Sequence, residues 1–213
     1  MTQGTAFAKT IIRRVVRSRW AMDLEAENPD VRRDAHAMSE LSNRAADRAL
    51  QMLDQGESKE KILAMLANAA EHVSGRGAVC SILVLDGDGL LRNGASPNLP
   101  ADYLASIDRL KPNPRVGTCS AAAATGSVVV TCDFRSDDKW AELRHLPLAL
   151  GFVGAWSMPI KTIHGKVLGT LGTYLRERRS PQPEELKSVE VLAAAAGLVL
   201  VRLDLVHTDR EIA

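Results

Sequence analysis

No stretch of this 213-residue chain is apolar for the ~20 residues that a bilayer-spanning helix requires; the longest runs, such as Leu192–Val201, fall far short. The N-terminus also lacks an uninterrupted apolar core followed by a small-residue cleavage site, so a cytoplasmic location is expected. Cysteine is scarce. Cys80, Cys119 and Cys132 cannot all pair within one chain, no CxxC occurs, and no Cys/His cluster has zinc spacing. Reduced thiols and the absence of a metal site follow as expectations. P-loop, dinucleotide, paired-carboxylate and Ser/His/Asp signatures are missing too, which leaves no catalytic constellation.

What is present suits one well-buried domain with some additional helix: 46% of residues are hydrophobic and 25% are charged. The net charge of +1 conceals an asymmetry. Lys9, Arg13, Arg14, Arg17 and Arg19 precede any acid, and Asp23, Glu25, Glu27 and Asp30 follow. With Ile11, Ile12, Val15, Val16 and Trp20, the basic segment reads as an amphipathic helix of the kind that meets anionic membranes or nucleic acid. The acids behind it favour a solvated or partner-packed helix instead.

Pro29 interrupts that pattern. From Val31 through Ala35, Met38, Ser42, Ala45, Ala49 and Met52, spacings of four and three predict a helix with one narrow stripe, ended by Gly56. Ser58 caps a second helix, with Ile62, Met65, Leu66, Ala69 and Val73 on one face. Ala78–Leu85 then reads as a buried strand, and Asp86-Gly87-Asp88-Gly89 as a tight turn into a hairpin partner at Leu90–Asn93. Pro100–Asp108 is a short helix, and Thr118–Thr125 an alanine-rich one between Gly117 and Gly126. Val128–Thr131 is a strand, and Ser136–Leu150 a loop with helical turns. Phe152–Lys161 and Lys166–Leu175 are the clearest strands, with Phe152, Gly154, Trp156, Met158 and Ile160 on one face and Pro159 arguing against a fully hydrogen-bonded central position. Ser180-Pro181, with Glu184 and Glu185, opens a long helix striped by Leu186, Val189, Ala193, Ala196, Leu200 and Leu203. The sum is an α+β sheet domain.

The order and spacing of four blocks carry a family resemblance: VGTCSAAAATG (Val116–Gly126), VVVTCDFRSDDKW (Val128–Trp140), ALGFVGAWSMPIKTIHGKVLGTLGTYL (Ala149–Leu175) and SPQPEEL (Ser180–Leu186). Together they resemble a GAF domain over roughly Ser58–Arg202, about two thirds of the chain, and are similar to GAF domains attached to bacterial sensor kinases and cyclases. The resemblance implies a central antiparallel sheet of about six strands, with N- and C-terminal helices on one face and a ligand pocket on the other. It divides the chain into a helical extension at 1–57, for dimerisation or docking, a GAF domain at 58–207 and a tail at 208–213. Sensing of a small molecule, a homodimer through the terminal helices and a signalling partner such as a sensor kinase are the expected function and partners.

A glycine followed by a helix start exposes backbone N–H groups at the positive end of a helix dipole, and Ala121–Ala124 leaves space beside them. The expected ligand-binding residues are therefore Gly117, Thr118, Cys119, Ser120 and Ala121, walled by Trp140, Phe152 and Trp156. A small anion or a carbonyl oxygen suits such a site, and some stand-alone GAF proteins bind nitrate there. Taken singly, these residues also read as close helix–sheet packing and core. Cys119 raises a redox alternative, since free methionine sulfoxide reductases have a similar glycine-x-cysteine-glycine stretch. Here Ser120 replaces the second glycine, and Ile107–Lys111 and Asp133–Leu150 contain no cysteine, so that redox set is incomplete. His145 stands where some haem-binding members place an axial ligand, but between Arg144 and Leu146 it reads as a surface residue. No nucleotide or bilin motif is present, and the cofactor stays open. A non-sensing dimerisation or docking module built on the stripes at 31–52 and 186–203 is the third reading.

Overall fold

The structure is a computed structural model that describes residues 29–75 and 77–211. The basic N-terminal helix expected before Pro29 lies outside the described residues.

Helix α1 (Pro29–Asp54) runs into α2 (Lys59–Ser74) through Gly56, whose φ of +77° suits a residue without Cβ. Ser58 caps α2 by accepting the Lys61 N–H at 3.3 Å. Strands β1 (Val79–Leu85) and β2 (Leu91–Ala95) form the hairpin, helped by Asp86 Oδ1, which accepts the N–H groups of Asp88 and Leu90. Then come α3 (Ala101–Ser106), α4 (Thr118–Thr125), β3 (Val129–Thr131), a 3-10 turn at Asp138–Trp140, and α5 (His145–Ala149). β4 (Gly154–Lys161), β5 (Val167–Leu175) and α6 (Pro183–Glu211) complete the domain. Pro183 occupies the first position of α6, where its missing N–H costs nothing.

The sheet is fully antiparallel, in the order β2-β1-β5-β4-β3. It has five strands where about six were expected; Leu110 adds a single bridge to Leu91 beside β2. β3 pairs with β4 only from Ala155 to Ser157, so Pro159 sits past its end, where β4 has β5 as its one strand neighbour. A proline is tolerated there for that reason.

One face of the sheet is covered by α2 and α6, with α1 packed on both. The expected stripes supply this core: Ser42, Ala49 and Met52 from α1, Ile62, Leu66 and Val73 from α2, and Val189, Ala193, Ala196 and Leu200 from α6 are buried. They meet Cys80, Ile82, Trp156, Met158, Ile160, Leu171 and Leu175 from the sheet. The opposite face carries α4 and a smaller aromatic cluster.

The two helices and the end of β5 are tied together by a buried ion pair. Arg179 donates to both oxygens of Glu185, at 2.6 and 2.8 Å, and to the Ser74 carbonyl at 2.8 Å, while the Gln182 N–H caps the same carboxylate at 2.6 Å. Glu185 is only 3% exposed, so removing its partner or its charge leaves buried polar groups unmatched. Glu185→Ala is expected to cost about 3–5 kcal/mol in denaturant unfolding; a loss below about 1 kcal/mol would mark the pair as an ordinary surface contact.

Candidate functional site

α4 forms because Gly117 and Gly126, at φ +52° and +63°, bracket an alanine-rich segment, and the Gly126 N–H closes it on the Ala122 carbonyl at 2.9 Å. Residues Thr118 to Ala123 are all buried, because methyl side chains let the helix lie directly on β3, β4 and β5. Beneath it, register aligns Ser81 of β1, Gly172 of β5 and Ser157 of β4 in one row across the sheet. The Cys119 thiol stands 3.2 Å from Ser157 Oγ, and Ser157 Oγ donates to Thr118 Oγ1 at 2.9 Å. A Cβ on Gly172 would fall 2.7 Å from Cys119 Sγ and 3.2 Å from Ser81 Oγ. That glycine is what lets the thiol reach the sheet.

The neighbouring rows on the same face are Leu83, Thr170 and Pro159 on one side, and Val79, Tyr174 and Ala155 on the other. Tyr174 meets Tyr103 edge-on at 5.7 Å and Phe152 at 5.3 Å. Trp140 packs on Phe134 at 4.4 Å, and its indole lies 3.7 Å from where a Cβ of Gly117 would be. Arg176 crosses the Phe152 ring at 4.7 Å and donates to the Leu150 carbonyl, fixing the loop that follows α5.

Among the described residues, six buried side-chain polar atoms lack a hydrogen-bond partner. Four of them, Ser81 Oγ, Thr170 Oγ1, Tyr103 Oη and Trp140 Nε1, belong to this side of the sheet. Each unmatched group costs about 1–3 kcal/mol. Four of the six unmatched atoms thus lie on one side of the sheet.

Gly117, Thr118, Cys119, Ala121, Trp140 and Phe152 surround this cluster or the helix above it. Ser120 is spent elsewhere: its hydroxyl donates to the Lys111 carbonyl at 2.7 Å and accepts the Asn113 N–H at 2.9 Å, holding the preceding loop. The Gly117 N–H is likewise occupied, donating to the Lys139 carbonyl at 2.7 Å. Trp156 does not join the others. Strand alternation turns Ala155 and Ser157 towards α4 and Trp156 into the core under α2 and α6. Phe152, expected on the Trp156 face, precedes β4 and packs with Tyr174 instead, because the chain leaves strand alternation at Val153.

A second feature lies across the sheet. An apolar groove of about 810 Å³ runs between the Thr162–Gly165 turn, the Gly126–Val128 segment and α6 around Ala194, Gly197 and Leu198. Val128 and Ile163, the exposed large hydrophobics of the described residues, both line it.

A family model described as a GAF domain matches residues 56–201. The chain belongs to the GAF domain family. A methyl sulfide methyltransferase-associated sensor of Methanosarcina acetivorans is 32% identical over 166 residues, a match covering 78% of this chain and 16% of that sensor. The chain thus spans a small part of that relative's length. Among solved structures, the GAF domain from a phosphoenolpyruvate-protein phosphotransferase of Coxiella burnetii is 17% identical, with a TM-score of 0.64 over 80% of this chain and 98% of that one. A domain of a two-component sensor histidine kinase protein from Sinorhizobium meliloti is 18% identical, with a TM-score of 0.60 over 72% and 98%. At such identities the likeness is one of fold.

Within this GAF domain the environment of Cys119 decides its chemistry. Burial pushes the thiol above its ordinary pKa, against the opposing hydrogen bond to Ser157. Cys80 is also pushed up by burial, and it points to the opposite face, beside Thr173. Burial thus moves both thiols away from the thiolate form that a nucleophile uses. Among the described residues no cluster of His, Cys, Asp or Glu could hold a metal, and no helix is long and apolar enough to cross a membrane.

Several contributors to the site went unnoticed in the sequence. Ser81, Ser157 and Thr170 interrupt strands that are otherwise nearly all apolar, and that was the available signal. Asp137 is another. It caps the turn that carries Trp140, accepting the Lys139 N–H at 3.0 Å, and it also binds Thr131 Oγ1 at 2.6 Å and Lys139 Nζ.

Two outcomes follow from this packing. Gly172→Ala is expected to destabilise the domain by about 1–3 kcal/mol through overpacking against the thiol. Adding Cys119→Ala should recover most of that loss, and independent effects of the two substitutions would refute the contact. In a thiol-labelling time course at pH 7, exposed Cys132 should react fast and Cys80 and Cys119 only on unfolding; fast labelling of Cys119 would show an open, activated thiol.

Proposed function

We propose that this GAF domain is a signal-transduction sensor of the cytoplasm, binding a small molecule between α4 and the Ser81–Gly172–Ser157 row and relaying occupancy to a partner through its terminal helices. The observation that carries the reading is that four of the six unpartnered buried polar atoms among the described residues lie on the α4 side of the sheet. The related sensor from Methanosarcina acetivorans supports the role.

β5 supplies a route for the relay. Thr170, Gly172 and Tyr174 face the site, while Leu171, Thr173 and Leu175 of the same strand face the helical core. The strand then leads through Arg179 to Glu185 and the first turn of α6. A ligand that lifts α4 away from Gly172 changes both faces of one strand. It acts only through unequal affinity for the closed arrangement described above and an opened one. α6 and α1 are the elements through which two copies, or a sensor kinase, would receive the change.

A small anion such as nitrate is one candidate occupant, drawn by the start of α4. The helix dipole contributes about 0.3–1 kcal/mol to such binding, whereas stripping the ion of water costs several kcal/mol unless it is matched. A redox role for Cys119 has less support, since its thiol is held protonated and Cys80 lies across the sheet. A docking module is a second reading, favoured by the groove beside Ile163.

Thermal unfolding of the full chain against a panel of small anions and neutral metabolites, with native mass spectrometry, tests the sensor reading. A true ligand at about 100 times its Kd should add about 2.7 kcal/mol, and Ser157→Ala should remove most of that gain. A panel without binders, or binding unchanged by Ser157→Ala but abolished by Ile163→Asp, would move the function to the groove.

A further inference from the structure

We infer that the ligand of this site is a small uncharged molecule with an apolar body and at least one hydrogen-bond acceptor, taken by the Trp140 indole N–H, and that the site rejects ions of similar shape. This rests on the α4 cluster being the sensing site.

The donor and acceptor inventory decides the class. Trp140 Nε1–H can only donate, and it is buried without a partner. Ser81, Thr170 and Tyr103 offer hydroxyls, also unpartnered, that donate or accept as the guest requires. Thr118, Cys119 and Ser157 complete the polar lining and are already bonded to one another. Tyr103, Trp140, Phe152 and Tyr174 add ring surface, which suits an apolar or methylated body.

None of these groups carries a charge. The thiol and both tyrosines are held neutral by burial, which pushes each of their pKa values up. The charges nearest in the fold are committed elsewhere. Lys139 is paired with Asp137 at 2.8 Å, and Arg176 lies over Phe152 with its donor on the Leu150 carbonyl. Lys111 and Arg115 on the loop before α4 are exposed. They can attract anions to the mouth, but compensation inside would have to come from neutral dipoles alone. The Gly117 N–H already donates to the Lys139 carbonyl, which leaves the first-turn amides of α4, from Thr118 to Ser120, as the neutral dipoles that could meet an anion. A buried ion without a counter-charge is therefore disfavoured against a neutral guest of the same size.

The test uses matched pairs that share shape and differ in charge: nitromethane with nitrate, acetamide with acetate, and dimethyl sulfone with methanesulfonate. Each is titrated into the full chain and followed by amide and indole NMR shifts, in the unsubstituted protein, in Trp140→Phe and in Ser81→Ala. The expected result is that at least one neutral member shifts the Trp140 indole resonance and the α4 amides, with its charged twin about tenfold weaker or worse. Trp140→Phe should weaken the neutral member by about tenfold while thermal unfolding shows the variant folded; Ser81→Ala provides the same comparison should Trp140→Phe prove unstable. Anions that bind at α4 as well as or better than their neutral twins would overturn the ligand class and leave the site standing. Shifts confined to the groove residues around Ile163, or none with any pair, would overturn the site itself.

Discussion

The contact of α4 with the sheet at Gly172 is the constraint on which the rest depends. A helix can lie that close only if its own side chains are small and the strand below it offers no Cβ, and Cys119 over Gly172, followed by the small Ala121–Ala123, meets both conditions. Close approach brings the thiol of Cys119 into the row of Ser81 and Ser157 and draws Trp140 down over Gly117. Polar groups thereby become buried that solvent or a guest would otherwise satisfy. The site's chemistry is a consequence of its packing.

The other face of the sheet shows the opposite economy. There the stripes of α1, α2 and α6 bury aliphatic side chains against Ile82, Trp156, Met158 and Leu171, and the buried Glu185–Arg179 pair pins the end of β5 to both helices. The two faces share β5. The helical face is packed mostly with aliphatic side chains, while the other holds four of the described residues' six unmatched buried polar atoms beside a short helix; in the proposed relay a guest rearranges the second face and β5 passes the change to the first.

Much of this was legible in the sequence. The helix stripes at 31–52 and 186–203, the Ser58 cap, the hairpin turn at Asp86–Gly89 and the glycine-bounded α4 all depend on local chemistry, and each appears where its residues predict it. The family blocks carried the sheet as well, though β2 runs to Ala95 and the strands number five. What failed was register. Trp156 looked like a pocket wall because it is large and close in sequence to the site, yet parity with Ser157 puts it in the core. Phe152 looked like its neighbour because alternation was extended one turn too far, past the irregular Val153. Ser81, Thr170 and Gly172 could not be assembled beforehand, since only cross-strand pairing brings three distant segments into line. Asp137 was legible as a cap, but what its turn positions was not.

The most direct test is a crystal structure of the full chain with the tightest-binding small molecule found for it. The account predicts the ligand between α4 and the Ser81–Gly172–Ser157 row, within hydrogen-bond distance of Trp140 Nε1, Tyr103, Ser81 or Thr170, with α4 displaced from Gly172. A ligand seated instead beside Ile163 and Leu198, with the Cys119–Ser157 contact unchanged, would contradict it.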